Sequence, residues 1–402
     1  MTHVVLIGAG QAASSLAFKL RNLGYEGDIT IIGEEPVLPY QRPPLSKAYL
    51  LGDMARDRLF LRPQNNYDEA NISVQLGERV TALSTTDKTI HLGDNTLSYD
   101  ELVLTTGSKP IRLPAAVGGD LRGVFCVRTL DDIDAMSSEF REGARVLIVG
   151  GGYIGLEAAA VAAKLGLNVT VVEMADRILQ RVASEQTSNY FRSLHQKHGV
   201  DICEGVGLSK LEGDAHVKRA LLSNGDTIDV DFVICGIGIR PNTQLAEAAG
   251  IALENGIKTD SHGRTSDPHI WAAGDCASFP NNGQHIRLES VPNAIDQGEI
   301  IAANITGADK PYVAKPWFWS DQYDVKLQIA GLNSGFDRVV VRPGDTPNCM
   351  SHWYYKKDKL LAVDAMNAPR HYMVGKRLIE AGKSPAAELI SDSETDLKSL
   401  LK

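Results

Sequence analysis

Two glycine-rich strings carry the clearest chemistry in the chain. Gly8-Ala9-Gly10-Gln11-Ala12-Ala13 follows the apolar run His3-Val4-Val5-Leu6-Ile7. Gly150-Gly151-Gly152-Tyr153-Ile154-Gly155 follows Arg145-Val146-Leu147-Ile148-Val149. Glycines between a strand and a helix permit a tight turn, let a diphosphate approach the backbone, and aim helix N–H groups at it. Such a site calls for an acidic residue about 20 residues further on to bind a ribose. Glu34 and Glu35 follow Asp28-Ile29-Thr30-Ile31-Ile32, and Glu173 ends Asn168-Val169-Thr170-Val171-Val172. Strand, helix and acid recur in register, so the chain is expected to bind two dinucleotides. That layout suits a flavoprotein that takes electrons from a nicotinamide.

Other residue types offer little competing chemistry. The five cysteines, at 126, 203, 235, 276 and 349, form no C-x-x-C or C-x4-C. No redox dithiol, zinc site or iron–sulfur framework can be read from that spacing, and the thiols read as buried or incidental. Electrons are therefore expected to leave the flavin without an internal disulfide. The ten histidines show no metal spacing and read as structural or surface groups, so no metal is expected.

The elements that must position these residues follow from length and pattern. At 402 residues the chain has room for two or three domains, and 43% hydrophobic with 23% charged residues is ordinary for a globular protein. The net charge of −9 disfavours nonspecific nucleic-acid binding and anionic membrane surfaces, while leaving room for a local basic patch. The sequence enters its first strand almost at once, with no signal-like segment and no long apolar stretch, which predicts a cytoplasmic location.

The fold class expected is α/β, with two Rossmann-like dinucleotide-binding domains and a C-terminal α+β domain. Residues 1–111 form the first segment of one domain and 112–242 an inserted second one. The chain returns to the first domain over 243–314, and 315–402 form the third. Within the first segment lie a Pro-rich loop from Val37 to Ser46, a polar helical stretch, and three short strands around Val74, Val80 and Ile90. A buried strand from Tyr99 ends in the small residues Thr105, Thr106 and Gly107, where a ligand could lie close. Another spans Asp231 to Cys235 and runs into Gly236-Ile237-Gly238-Ile239-Arg240-Pro241-Asn242. His269 to Asp275 is one more strand with a Gly-Asp turn, and Asn293 to Gly307 a helix. Strands around Val325, Arg338, Met350 and Leu360 precede a helix opened by Pro369. The tail past Pro385 is polar and reads as mobile.

Several strings narrow the reading. These are Leu38-Pro39-Tyr40-Gln41-Arg42-Pro43-Pro44-Leu45-Ser46-Lys47, Gly150 to Glu157, Ile237 to Asn242, Ala273-Gly274-Asp275-Cys276-Ala277, and Trp317-Phe318-Trp319-Ser320-Asp321-Gln322. In this order, over nearly the whole chain, they resemble the NADH-dependent ferredoxin reductases of oxygenase systems. That family belongs to the glutathione reductase type of two-dinucleotide flavoproteins. Disulfide-reducing relatives carry redox cysteines after the second strand, where this chain has Arg42-Pro43-Pro44. The resemblance therefore implies FAD and NAD as cofactors, and a [2Fe–2S] ferredoxin serving a cytochrome P450 or Rieske-type oxygenase as electron acceptor.

Residue roles follow from that resemblance together with the chemistry. Gly8, Gly10 and Ala13 would cradle the FAD diphosphate and Glu34 or Glu35 the adenosine ribose. Arg42 and Lys47 supply cations near the diphosphate and the flavin ring. Thr106, Gly107, Asp275 and Val291 complete the FAD side, with Asp275 on the ribityl chain. Gly150, Gly152, Tyr153, Ile154 and Gly155 would hold NAD, with Gly236, Ile237 and Gly238 opposite. Glu173 would accept the ribose hydroxyls and repel a 2′-phosphate, favouring NAD over NADP. The resemblance places Arg181 on NAD and leaves Arg177 as a surface charge. It also implies a Glu157–Lys47 pair near the nicotinamide and Trp319 beside the flavin, these three being the expected catalytic residues. Rubredoxin reductases and NADH oxidases share the fold, as do NADH-sensing flavoproteins resembling apoptosis-inducing factor. The oxidase reading wants a cysteine near the flavin loop, and Gln41-Arg42 offers none.

Overall fold

The computed structural model describes residues 2–402. The chain divides into two compact units. The first contains the described residues up to Gln41, with Arg56–Lys109 and Ile239–Pro316; the second contains Arg42–Ala55, Pro110–Gly238 and Trp317–Lys402.

The first unit is built on a parallel sheet in the order Ile270–Ala272, Glu101–Leu104, His3–Ile7, Asp28–Gly33, Ile72–Leu76. His3–Ile7 sits in the middle and pairs with Asp28–Gly33 on one side and Glu101–Leu104 on the other. Its residues Val4, Val5 and Leu6 are fully buried, as a strand covered on both faces requires. Helix Gln11–Asn22 buries Ala12, Ala13, Leu16, Ala17 and Leu20 against the sheet and helix Val291–Ile305. The small residues bring the two helices close: a Cβ at Gly298 would lie 2.8 Å from the Ala12 carbonyl oxygen.

Strand Ile72–Leu76, expected with the short alternating strands, is instead the parallel edge of this sheet. The polar stretch before it, including helix Gln64–Glu69, forms the crossover that parallel pairing needs. Val80 is buried but lies outside any strand; the antiparallel trio is Ala82–Ser84, Thr89–Leu92 and Asn95–Ser98.

The second unit holds a parallel sheet in the order Asp201–Glu204, Asn168–Glu173, Arg145–Val149, Phe232–Cys235, Val124–Cys126. It also holds an antiparallel sheet in the order Trp317–Gln322, Val325–Gly331, Lys359–Met366, Met350–Lys356, Arg338–Pro343. One apolar cluster joins them: Leu156, Ile178 and Phe191 pack with Val325, Leu327 and Met366. Helix Tyr153–Lys164 packs against strand Trp317–Gln322.

The tail is ordered by packing. Helix Ala387–Ser391 and the 3-10 turn Leu397–Leu401 bury Ile390 and Leu397. The buried Arg342 guanidinium donates to the carbonyls of Ile390, Asp392, Ser393 and Thr395 at 2.6–3.1 Å. Two apolar anchors in a polar segment were too sparse to signal this from composition.

Candidate functional sites: two dinucleotide turns and a buried ion pair

The two glycine strings fold alike. Gly8 has φ +112°, and a Cβ there would stand 2.2 Å from the Thr105 carbonyl oxygen. Gly150 has φ +108°, with a Cβ 2.5 Å from the Gly236 carbonyl oxygen. Glycine is therefore required by both conformation and space. At the second glycine of each string the situation reverses: a Cβ on Gly10 or Gly152 would meet nothing within 4 Å. The helices that follow, Gln11–Asn22 and Tyr153–Lys164, have no side-chain cap and no acidic residue in the first turn. Open space before uncapped N–H groups is the cradle a diphosphate fits. FAD in the first unit and a nicotinamide dinucleotide in the second are compatible with these turns.

In the first unit, the remaining predicted residues take distinct positions. Ala13 is fully buried and serves close helix packing, so its side chain does not line the open turn. Glu34 is exposed and pairs with Arg79 at 2.8 Å, while Glu35 accepts from the Tyr40 hydroxyl at 2.6 Å. Thr106 and Asn242 exchange hydrogen bonds at 2.7 and 2.8 Å, and the Asn242 N–H donates to the Gly107 carbonyl. Asp275 accepts from the Ser108 hydroxyl at 2.8 Å. Val291 opens helix Val291–Ile305, which Ser290 caps. The sequence reading missed Gln297, buried on that helix, whose Oε1 accepts from the Gly274 N–H at 2.7 Å. A polar residue on the small-residue face of the helix was its only signal.

In the second unit, Glu173 is tied to the turn through both oxygens. Oε2 accepts from the Gly151 N–H at 2.7 Å and Oε1 from the Ala175 N–H at 2.8 Å. Gly155 is forced by packing, since a Cβ would approach the Gly150 carbonyl oxygen to 2.2 Å. Ile154 is exposed, and the Arg181 guanidinium lies 3.7 Å from where a Cβ on Gly238 would stand. Gly236, Ile237 and Gly238 thus meet the first glycine on one side and Arg181 on the other. Tyr153 packs its ring on Phe318 at 5.1 Å, and its buried hydroxyl has no hydrogen-bond partner among the described residues. Arg177 is no loose surface charge: it donates to the carbonyls of Ala183 and Ser184 and to the Ser188 hydroxyl, closing its own turn.

The same unit brings Lys47 and Glu157 together. Pro43–Ser46 form a 3-10 turn that presents Ser46 and Lys47. Glu157, on helix Tyr153–Lys164 and only 3% exposed, accepts at Oε2 from the Lys47 ammonium and the Ser46 hydroxyl, both at 2.6 Å. Its Oε1 accepts from the Ser320 hydroxyl at 2.6 Å. A buried carboxylate must be matched in this way; Ser46 and Ser320 stand inside the strings Leu38 to Lys47 and Trp317 to Gln322 but had no role assigned, because only the fold brings their hydroxyls to Glu157. Arg42 donates to the Arg128 carbonyl at 2.7 Å. Trp319 stacks on Trp317 at 5.5 Å and lies on the opposite strand face from Ser320.

The cysteines hold one surprise. Cys126 and Cys235 stand in register on neighbouring parallel strands, and both are buried free thiols. Hydrogen bonding between them pulls the Cys235 thiol down and pushes Cys126 up. Strand pairing, not sequence spacing, creates the couple.

Two open glycine turns at the heads of two parallel sheets, each with its acidic residue following the next strand, define a two-dinucleotide flavoprotein oxidoreductase. Residues 2–298 match the pyridine nucleotide-disulphide oxidoreductase family, and residues 317–401 match the reductase C-terminal family. The chain belongs to the pyridine nucleotide-disulphide oxidoreductase family. It is 42% identical to a ferredoxin–NAD(P)(+) reductase of a Sphingomonas species, across 100% of this chain and 98% of that protein. It is 40% identical to rhodocoxin reductase of Rhodococcus erythropolis, across 98% of this chain and 93% of that protein. Its structure matches a chain of the covalent putidaredoxin reductase–putidaredoxin complex with a TM-score of 0.96 at 39% identity, covering 100% and 98% of the two chains.

Proposed function

We propose that this chain is an FAD-dependent NADH:ferredoxin oxidoreductase, passing electrons to a [2Fe–2S] ferredoxin that supplies a cytochrome P450 or Rieske-type oxygenase in the cytoplasm. The observation that carries the reading is the pair of glycine turns, each open at its second glycine, in a chain similar end to end to ferredoxin reductases. The chemistry FAD supplies when bound is two-electron reduction by NADH and one-electron oxidation by an iron–sulfur partner.

The protein contributes position and charge. Gly8, Gly10 and the first turn of Gln11–Asn22 receive the FAD diphosphate, with Glu34 or Glu35, Arg42, Thr106, Gly107, Asp275 and Val291 along the cofactor. Gly150, Gly152, Gly155 and the first turn of Tyr153–Lys164 receive that of NADH, with Tyr153, Ile154 and the Gly236–Gly238 turn beside it. Glu173 offers the ribose its remaining lone pairs and opposes a 2′-phosphate, and Arg181 reaches the same turn. Lys47, oriented by Glu157, presents a fixed ammonium to the flavin. Trp319 shields the flavin and borders the electron exit. No helix among the described residues is long and apolar enough to cross a membrane, which is compatible with a cytoplasmic carrier.

Arg338 pairs with Glu388, and on helix Pro369–Glu380 Arg370 pairs with Asp396 and Lys376 with Glu380, while Arg377 of that helix is exposed. Anaerobic stopped-flow tests the proposal. The yellow holoenzyme is mixed with NADH, then with oxidised [2Fe–2S] ferredoxins and a rubredoxin. Rapid bleaching and fast reoxidation by a [2Fe–2S] ferredoxin are expected. Reoxidation by rubredoxin or oxygen alone, or a reduced state inert to every carrier, would refute it.

A further inference from the structure

Glu157 ends a line of polar side chains longer than an ion pair needs. Ser320, whose hydroxyl reaches Glu157 Oε1, and Gln322 are two apart on strand Trp317–Gln322 and so share a face; both are fully buried. Gln322 Nε2 lies 3.2 Å from Ser320 Oγ, and Gln322 Oε1 lies 2.8 Å from His195 Nε2. His195, fully buried on helix Glu185–Lys197, has Nδ1 3.1 Å from the Tyr323 hydroxyl. The Tyr323 ring in turn stacks on His198 at 3.7 Å.

Only one assignment of hydrogens satisfies every member. A carboxylate only accepts, so the single Ser320 proton goes to Glu157. The Ser320 oxygen must then accept, which turns the Gln322 amide nitrogen toward it. That leaves the Gln322 oxygen facing His195, so the imidazole must carry its proton on Nε2. The bare Nδ1 then accepts from Tyr323. Every donor in the line points toward Glu157, and such chains polarise one another. Burial drives the His195 pKa down to about 4, with help from nearby His198 and against the Gln322 acceptor, so the imidazole stays neutral. The titratable neighbours facing the two ends are Lys47 and Tyr153 at Glu157, and His198 and Tyr323 at His195.

We propose that Ser320, Gln322 and His195 are positioning residues for hydride transfer, forming a one-way hydrogen-bond line from Tyr323 that sets the Glu157 carboxylate, and through it the Lys47 ammonium. The inference rests on the reading of Lys47 and Glu157 as the pair that serves the flavin. It assigns work to Ser320 and Gln322, on an antiparallel sheet that carries no dinucleotide turn, and to His195 on helix Glu185–Lys197. The line also explains why two fully buried polar side chains, Gln322 and His195, sit in a region that apolar residues would otherwise fill.

The test pairs a directional swap with a rescue. In Gln322→Glu, of nearly the same shape, the nitrogen facing Ser320 becomes an acceptor oxygen that competes with Glu157 for the Ser320 proton. Flavin reduction by NADH in the holoenzyme is expected to slow about tenfold, with NADH affinity unchanged. His195→Leu should slow it similarly, whereas His195→Gln, which keeps a donor where Nε2 stood, should restore the rate to within about twofold. Nitrogen-labelled histidine NMR of the holoenzyme gives a readout independent of turnover, and should show His195 as the Nε2–H tautomer. Wild-type reduction rates in Gln322→Glu, or an Nδ1–H tautomer, would overturn the line. Glu157→Gln separates the two ideas. If it reduces flavin at the wild-type rate, the reading of the ion pair fails. If it is slow while Gln322→Glu is unaffected, the line alone fails.

Discussion

Replacing Glu173 by alanine removes two interactions with different consequences. In the folded protein its oxygens hold the N–H groups of Gly151 and Ala175 at 2.7 and 2.8 Å. A hydrogen bond to a charged acceptor contributes about 1.5–3 kcal/mol, but this carboxylate is half-buried and water can replace part of it. The expected loss of stability is therefore about 1–2 kcal/mol. The second consequence is at the ligand. Loss of the acceptor for both ribose hydroxyls should cost NADH about 2–3 kcal/mol, or roughly 30- to 150-fold in affinity. NADPH loses no such bonds and is freed from a carboxylate facing its 2′-phosphate, so its affinity should hold or improve. The preference for NADH should fall by at least about 30-fold. Glu173→Gln keeps one acceptor but sets an NH2 against a backbone N–H, so it should fall between the two. Flavin-reduction rates over a range of NADH and NADPH concentrations, with a thermal midpoint for each variant, give both numbers. A lowered midpoint with an unchanged NADH to NADPH preference would show that Glu173 merely fastens the turn.

The glycine turns make a paired prediction: Gly8→Ala should prevent folding of the first unit, because its Cβ would strike the Thr105 carbonyl, whereas Gly10→Ala should fold and lose FAD. Soluble yield and released-FAD fluorescence distinguish them, and equal behaviour of the two variants would count against the cradle. Lys47→Met strands the buried Glu157 carboxylate and should destabilise by about 3 kcal/mol while slowing flavin reduction. Adding Glu157→Gln should recover stability without the rate, and recovery of both would contradict the assigned role. Burial holds the pKa values of His195 and His352 at about 4. Their unfolded values lie near about 6.5, so their contribution is complete above that pH and is lost on acidification toward about 4. Each group can remove up to about 3 kcal/mol over this window. Asp364, raised by burial to about 6, works oppositely, its contribution being lost as pH rises through that value. His371 is likewise held at about 4 by burial, so three histidines against one carboxyl predict a urea midpoint lower at about pH 5 than at about pH 7, and a flat or rising midpoint on acidification would sink the balance.

Much of this protein was legible in the chain because the decisive features are local. The turn at Gly8, the strand before it and the uncapped helix after it lie within a few residues, so the covalent sequence settles their geometry. The same holds at Gly150, and Glu173 lies one β-α-β unit away, a distance set by the length of the helix and strand between. Family motifs supplied Lys47 and Glu157. They assigned no role to Ser46, Ser320, Gln322 and His195, which complete the surroundings of that pair from three separate stretches of chain: turn Pro43–Ser46, strand Trp317–Gln322 and helix Glu185–Lys197. Strand register made a thiol couple of Cys126 and Cys235, and one buried guanidinium, Arg342, ordered a tail that composition marked as mobile. Where the two glycine turns fall was thus determined by sequence alone, through backbone conformations available to glycine at a strand end. Which polar groups surround the buried carboxylate was decided only by tertiary packing, because each buried donor or acceptor must find its partner wherever the fold brings one within reach.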